Sequence, residues 1–301
     1  MSTPNTKPAA IAFMLTASLL IAGTTLLAKA LGTETLGPAL HPFQITHGRF
    51  LFAWVAIAGA VALLRPKFTK PSWGLHVART SFGATGITLL FAAVAFIPVS
   101  DATAISFLNP VFAMMLAVVF LGEKTGPIRW GAAAIALVGA LILLRPGSAA
   151  FQPGALLALA AAVMMGIEIT IIKLLTGREQ PLQILFTNNT LGLVLASLAV
   201  LAVWSPPTAP QWAALAALGF MMAAAQACFI QAMRRADSSF VVPFSYATLV
   251  FATLYDAVLF KTIPDAVSLT GAGIIIAGAA LLAYREARAA NQALETPRPR
   301  P

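Results

Sequence analysis

Four charged residues stand inside long apolar runs of this chain: Lys29, Arg49, Glu168 and Asp256. A charge at the centre of a bilayer costs on the order of 2.5–3.5 kcal/mol on insertion scales, and such groups face a cavity or a partner. Each therefore has two readings. Arg49 could hold a substrate carboxylate through its planar fork, or pair with Asp256 and join two helices. Asp256 could instead carry a proton. Lys29 lies close enough to the end of its run to snorkel towards water. His47, two residues from Arg49, points to a different helix face and joins Asp256 and Lys29 as a candidate for charge pairing or proton handling. Glu168 is the sharpest case. It lies deep in its run among Met164, Met165, Ile167, Ile169 and Ile171, so its carboxylate must be paired, protonated or solvated by a cavity. Lys173, five residues on, is poorly placed as its helical partner.

Uncharged residues extend the candidate set. Asn109 precedes Pro110, and Pro243 precedes Ser245 and Tyr246; each proline removes a backbone hydrogen bond within a run. Such breaks expose carbonyls to a cavity and offer a place to bend, or they are kinks packed against neighbours. Gln226 and Thr85 could line a cavity or bond across helices. Phe82, Phe91, Phe107 and Tyr246 could offer an aromatic wall to a flat solute, although phenylalanine is ordinary in apolar helices. The substrate-binding candidates are thus Arg49, Glu168, Asn109, Tyr246, Gln226 and Thr85. No catalytic residue, metal or cofactor is expected. There is no P-loop, His41, His47 and His76 do not cluster, and Cys228 is the single cysteine.

The elements that must position these residues follow from composition. Apolar residues make up 59% of the 301 and charged residues only 10%, against about 25% in a soluble domain. That excludes a soluble enzyme, a nucleic-acid-binding domain and a disordered chain. Ten apolar runs lie near 9–31, 43–64, 76–97, 101–121, 128–144, 154–175, 181–203, 211–233, 238–260 and 266–284. Their lengths suit membrane-spanning helices rather than the roughly 10-residue strands of a barrel. The fifth and tenth runs are short and rich in Gly and Ala, which predicts close packing. Alternating the runs across a bilayer gathers nearly all the loop Lys and Arg on one side, Arg79 included. This places both termini in the cytoplasm and explains the net charge of +9 without nucleic acid. The first run exceeds a usual signal-peptide core, so it reads as a retained helix. The polar, proline-containing tail, 287–301, reads as disordered.

An internal repeat underlies the order of runs. His41-Pro42-Phe43-Gln44-Ile45 matches Gln180-Pro181-Leu182-Gln183-Ile184, and Ser100-Asp101-Ala102 matches Ala236-Asp237-Ser238. Gly131 and Gly139 are echoed by Gly271 and Gly278. Two five-helix halves follow, 9–144 and 154–284, preceded by a cytoplasmic segment, 1–8. Five being odd, the second half is inverted, an arrangement typical of secondary transporters with a site near the midplane.

The segments Leu108-Asn109-Pro110-Val111-Phe112, Phe120-Leu121-Gly122-Glu123, Trp130-Gly131 and Gly139 resemble the EamA module of the drug/metabolite transporter superfamily. The second half is similar in Pro243-Phe244-Ser245-Tyr246, Pro264-Asp265 and Gly271-Ala272-Gly273. It departs in carrying Phe260-Lys261 where many members have Gly-Glu. The resemblance implies ten helices in two inverted repeats around a cavity lined by helices 1, 3, 4, 6, 8 and 9. It also implies alternating access in the inner membrane, without enzymatic chemistry. Members include amino-acid exporters of the YddG type and carriers of riboflavin and S-adenosylmethionine. The expected cargo is an amino acid, aromatic ones included, moving outward, with import of riboflavin or S-adenosylmethionine as the alternative. A channel or a membrane-embedded enzyme fits less well. The expected partners are the solute, the lipid bilayer and protons as a candidate coupling ion, with a monomer as the default assembly.

Overall fold

The computed structural model describes residues 6–32, 34–94, 96, 105–123, 125–144, 153–259 and 266–295. Most of these are helical, with no strand among the described residues. The long helices are α1 (Thr6–Gly32), α2 (Pro42–Leu64), α3 (Trp73–Val94), α4 (Asn109–Leu121) and α5 (Pro127–Leu144). The second set is α6 (Pro153–Thr176), α7 (Pro181–Val200), α8 (Ala209–Arg235), α9 (Ala247–Leu259) and α10 (Ala266–Glu295). A one-turn helix, Ser238–Val241, and a 3-10 turn, Val242–Tyr246, lead into α9.

Helix starts are written in the sequence by proline and cap residues. His41 caps α2, its Nδ1 accepting the Phe43 N–H at 3.2 Å, with Pro42 in the first turn. Thr208 and Gln211 form a capping box at the start of α8. Six helical segments are long and apolar enough to cross a membrane: α1, α2, α6, α7, α8 and Ser238–Tyr255; α4 is among the shorter apolar helices. Large apolar side chains such as Val119 (73% exposed), Phe120 (70%) and Leu198 (65%) have little protein cover. Such a surface suits lipid rather than water.

The packing is two-fold in pattern. α1 lies against α8 and α9, while α6 lies against α3 and α4. α2 packs on α8 as α7 packs on α3, and the pairs α2–α7 and α5–α10 map onto themselves. Exchanging each helix with the one five places on therefore reproduces the principal contacts. The α5–α10 contact is as close as its small residues predict: a Cβ on Gly139 would stand 2.8 Å from the Gly271 carbonyl oxygen.

Three expectations need revision. α3 begins at Trp73, not 76, which moves Arg79, counted with the cytoplasmic cations at the edge of its run, into the second turn of the helix. Pro110 does not interrupt α4 but sits in its first turn, where its missing N–H has no helical partner to lose; the break is the turn at Phe107 and Leu108 just before it. α10 runs on through Glu295, so the tail expected to be disordered from 287 begins as helix; Ala287, Arg288, Ala289 and Ala290 are good helix formers. Ser100-Asp101, Phe260-Lys261 and Pro264-Asp265 lie outside the described residues.

Candidate functional site

Glu168 lies eight residues before the end of α6, about 12 Å along the axis, and faces α3. It fits because α3 offers Gly83: a Cβ there would stand 2.8 Å from Glu168 Oε2. Arg79, one turn earlier on the same face of α3, brings its Nε to 3.8 Å from Glu168 Oε1. That is an ion pair, but too long for a hydrogen bond. Arg79 is 3% exposed, whereas the Glu168 side chain keeps 29% of its surface open. From α2, Arg49 stacks its guanidinium over the Phe50 ring at 4.4 Å and feels the charge of Glu168. Among the described residues Glu168 is thus ion-paired with Arg79, and Arg49 lies within the reach of its charge. A buried ion pair is weak evidence for stability, because desolvation offsets the attraction. A group of this kind inside apolar helices is better read as a site.

The other candidates scatter around this group. Gln226 on α8 accepts a hydrogen bond from Asn189 Nδ2 of α7 at 2.9 Å; Asn189 itself is fully buried with its Oδ1 unpartnered. Asn109 donates to Ser106 O at 2.9 Å and touches Met165 of α6, so it secures the start of α4. Tyr246 is fully buried and donates to Phe107 O at 2.7 Å, which ties the two helix breaks together. In this state its ring lies inside the protein and its hydroxyl is taken by Phe107. Pro243 sits in the 3-10 turn, so the predicted break before α9 is real. Thr85 is exposed on the side of α3 turned away from Gly83 and Glu168, because it is two residues from Gly83. His47 packs edge-on to Trp204 near the start of α2, apart from the charged group. The side chains of Lys29 and Asp256 lie outside the described residues, and with them the expected Arg49–Asp256 pair. The acid that acts on Arg49 among the described residues is Glu168.

Two further polar networks join the helices at their ends. Glu123, in the loop after α4, accepts from Ser238 N (2.9 Å), Ser238 Oγ (2.8 Å) and Ser239 N (3.0 Å), capping the segment that leads into α9. Burial pushes its carboxyl up, but these hydrogen bonds outweigh burial and hold it below its ordinary range. Arg129 reaches Asp237 at 3.2 Å and Ser239 Oγ at 2.8 Å. Lys173 donates to Met233 O (2.6 Å) and Ala236 O (2.5 Å) at the end of α8, where the helix dipole favours a cation. Glu179 likewise accepts from Ser72 N at 2.7 Å and shares a hydrogen bond with His76 Nε2 at 2.9 Å. Burial raises its carboxyl, yet these partners hold it low as well.

Sequence reading missed Arg79, counted among the cytoplasmic cations. Two clues pointed to it: Trp73-Gly74-Leu75 already reads as a helix start, and Arg79 shares a face with Gly83 and Gly86. Asn189 and Glu179 were also overlooked; no motif singles them out.

Comparison with known proteins agrees with this architecture. The EamA-like transporter family matches residues 8–145 and again 152–284. An S-adenosylmethionine uptake transporter of Rickettsia bellii is 28% identical over 86% of this chain and 90% of its own length. A riboflavin transporter of Rhizobium johnstonii is 32% identical over 71% of each chain. The pseudopaline exporter CntI of Pseudomonas aeruginosa is 25% identical over 66% of this chain and 70% of its own. A solved crystal structure superposes with a TM-score of 0.78 over 93% of this chain and 98% of that one, at 24% identity, a likeness of fold alone. The protein is a multi-pass membrane transporter of small molecules, not an enzyme. With two matches that together span nearly its whole length, the chain belongs to the EamA-like transporter family.

Proposed function

We propose that this transporter works by alternating access in the inner membrane, with both termini cytoplasmic, and that its cargo carries an amino-acid head group. S-adenosylmethionine, taken up, is the first candidate, and a free amino acid moved outward is the variant of the same reading. The observation that carries it is Glu168: a carboxylate deep in α6, partly open, with Arg79 of α3 beside it at 3.8 Å. Such a carboxylate suits the ammonium of an amino acid, or the sulfonium of S-adenosylmethionine, through charge-assisted contact. The Rickettsia bellii relative, matched over most of both chains, favours S-adenosylmethionine within this class. Riboflavin is the second reading, favoured by the Rhizobium johnstonii relative. It has neither ammonium nor carboxylate, and would use Glu168 only as a hydrogen-bond acceptor.

The test is uptake into proteoliposomes of labelled S-adenosylmethionine, riboflavin and a panel of amino acids, with and without a proton gradient. Saturable flux of S-adenosylmethionine or an amino acid is expected, falling by about tenfold or more in Glu168→Gln, as loss of a charge-assisted bond implies. Flux of riboflavin alone overturns the head-group reading and leaves the family assignment intact.

A further inference from the structure

Arg79 is buried to 3% exposure, yet its Nε and Nη1 donors have no hydrogen-bond acceptor among the described residues. Glu168 neutralises the guanidinium from 3.8 Å without taking either donor. A pair built only to hold α3 to α6 would close to about 2.7–2.9 Å and use the fork geometry that makes arginine suited to carboxylates. Here two donors of the fork are buried behind Glu168 and left without an acceptor among the described residues. Buried polar groups are nearly always satisfied, so unsatisfied charged donors beside a partly open carboxylate call for an absent partner. What is missing is a hydrogen-bond acceptor, and a carboxylate supplies two oxygens in the planar geometry that a guanidinium fork matches.

We infer that Arg79 is the residue that receives the carboxylate of the transported solute, its Nε and Nη1 donating while Glu168 takes the solute's cationic part. This rests on the head-group reading above and deepens it. Arg79 lies behind Glu168 in the structure. The carboxylate would reach it as the Glu168 side chain turns towards the solute ammonium, exchanging one ion pair for two. Gly83 is what lets the Glu168 carboxylate lie against α3 in this state, since any side chain there would take its place.

The test compares two competitors of labelled S-adenosylmethionine uptake: S-adenosylmethionine itself and its decarboxylated form, which keeps the sulfonium and the amine. The wild type should prefer the carboxylated competitor by about tenfold to a hundredfold, the range of one charge-assisted interaction. Arg79→Gln should abolish the preference by weakening S-adenosylmethionine alone. Arg79→Lys keeps the charge beside Glu168 but loses the fork, and should retain uptake with the preference cut to a few-fold. If Arg79→Gln does not fold, Arg79→Gln with Glu168→Gln removes both charges together and should leave neither competitor favoured. A wild type indifferent to the carboxylate, or a preference that survives Arg79→Gln, overturns the role of Arg79 while S-adenosylmethionine remains the cargo. Flux of riboflavin without S-adenosylmethionine or amino acids overturns the head-group reading first, and the inference with it.

Discussion

Gln44 and Gln183 occupy matching places in the two halves and make the same clamp at opposite ends of the molecule. The Gln44 amide holds residue Ser205 before α8 through both its backbone oxygen (2.5 Å) and its hydroxyl (3.1 Å). The Gln183 amide holds Thr69 before α3 through its N–H (2.9 Å) and its carbonyl (3.0 Å). Around these equal clamps the ends differ. At the Gln44 end the supporting contacts are neutral: Thr208 Oγ1 donates to Leu36 O and Gln211 Nε2 to Pro38 O. At the Gln183 end they are carboxylates: Glu179 on Ser72 and His76, and Glu123 on Ser238 and Ser239. One geometry is thus held by two chemistries, and only the Gln183 end depends on carboxylates.

The largest break is expected from Glu123→Ala. It strips the acceptor from two backbone N–H groups and a hydroxyl, each costing about 1–3 kcal/mol if left unsatisfied, so a loss of about 3 kcal/mol is expected. Thermal unfolding in detergent should show it as the largest fall in Tm of the series, with Glu123→Gln falling less because it keeps an acceptor. An unchanged Tm in Glu123→Ala would mean that water replaces the cap at no loss.

The next effect is pH. Both Glu123 and Glu179 are held below their ordinary 4.5 in the folded protein. A lowered folded value means that the contribution is complete above the unfolded value and disappears as pH falls through the folded one. Stability should therefore stay flat from pH 7 to about 5 on account of these groups, then drop below about 4.5. The drop should be reduced in Glu123→Gln and Glu179→Gln. Gln44→Ala should leave it in place, because among the described residues the Gln44 amide bonds only to Ser205 and to no carboxylate.

Much of this was legible beforehand, and the limits are physical. Run lengths and the two Pro-x-Gln-Ile segments pointed to the helices and their two-fold order, because apolar length and cap chemistry are local properties. The role of each glutamine was not legible: what Gln183 holds is Thr69, 114 residues away, and no local rule names that partner. Glu168 stood out because a carboxylate in an apolar run needs a reason. Arg79 did not, because it lies close enough to a helix start to be counted with the cytoplasmic cations. The bond from Tyr246 to the Phe107 carbonyl was not legible either, because it spans 139 residues.

The two clamps themselves give a smaller and more even effect. Gln44→Ala and Gln183→Ala each remove hydrogen bonds to one loop residue and should each lower stability by about 1–2 kcal/mol. Equal losses would support a shared clamp. Gln183 also donates to Glu179 Oε2 at 2.9 Å, so any excess at that end should vanish in a Glu179→Gln background.

The smallest effect tests whether the neutral end is held by caps alone. Thr208 accepts from the Gln211 N–H at 3.4 Å while donating to Leu36 O at 3.1 Å, so one hydroxyl both starts α8 and fastens the loop after α1. Thr208→Ala should cost about 1 kcal/mol, the usual value of an N-cap, and Thr208→Ser close to nothing. The long cap distance argues that most of that loss comes from the Leu36 contact. A variant that keeps the cap acceptor but cannot donate, Thr208→Asp, should then be about as damaging as Thr208→Ala at pH 7. If Thr208→Asp instead restores the wild-type Tm, the cap dominates, and the loop after α1 is held by Gln211 and Pro38 without the hydroxyl's help.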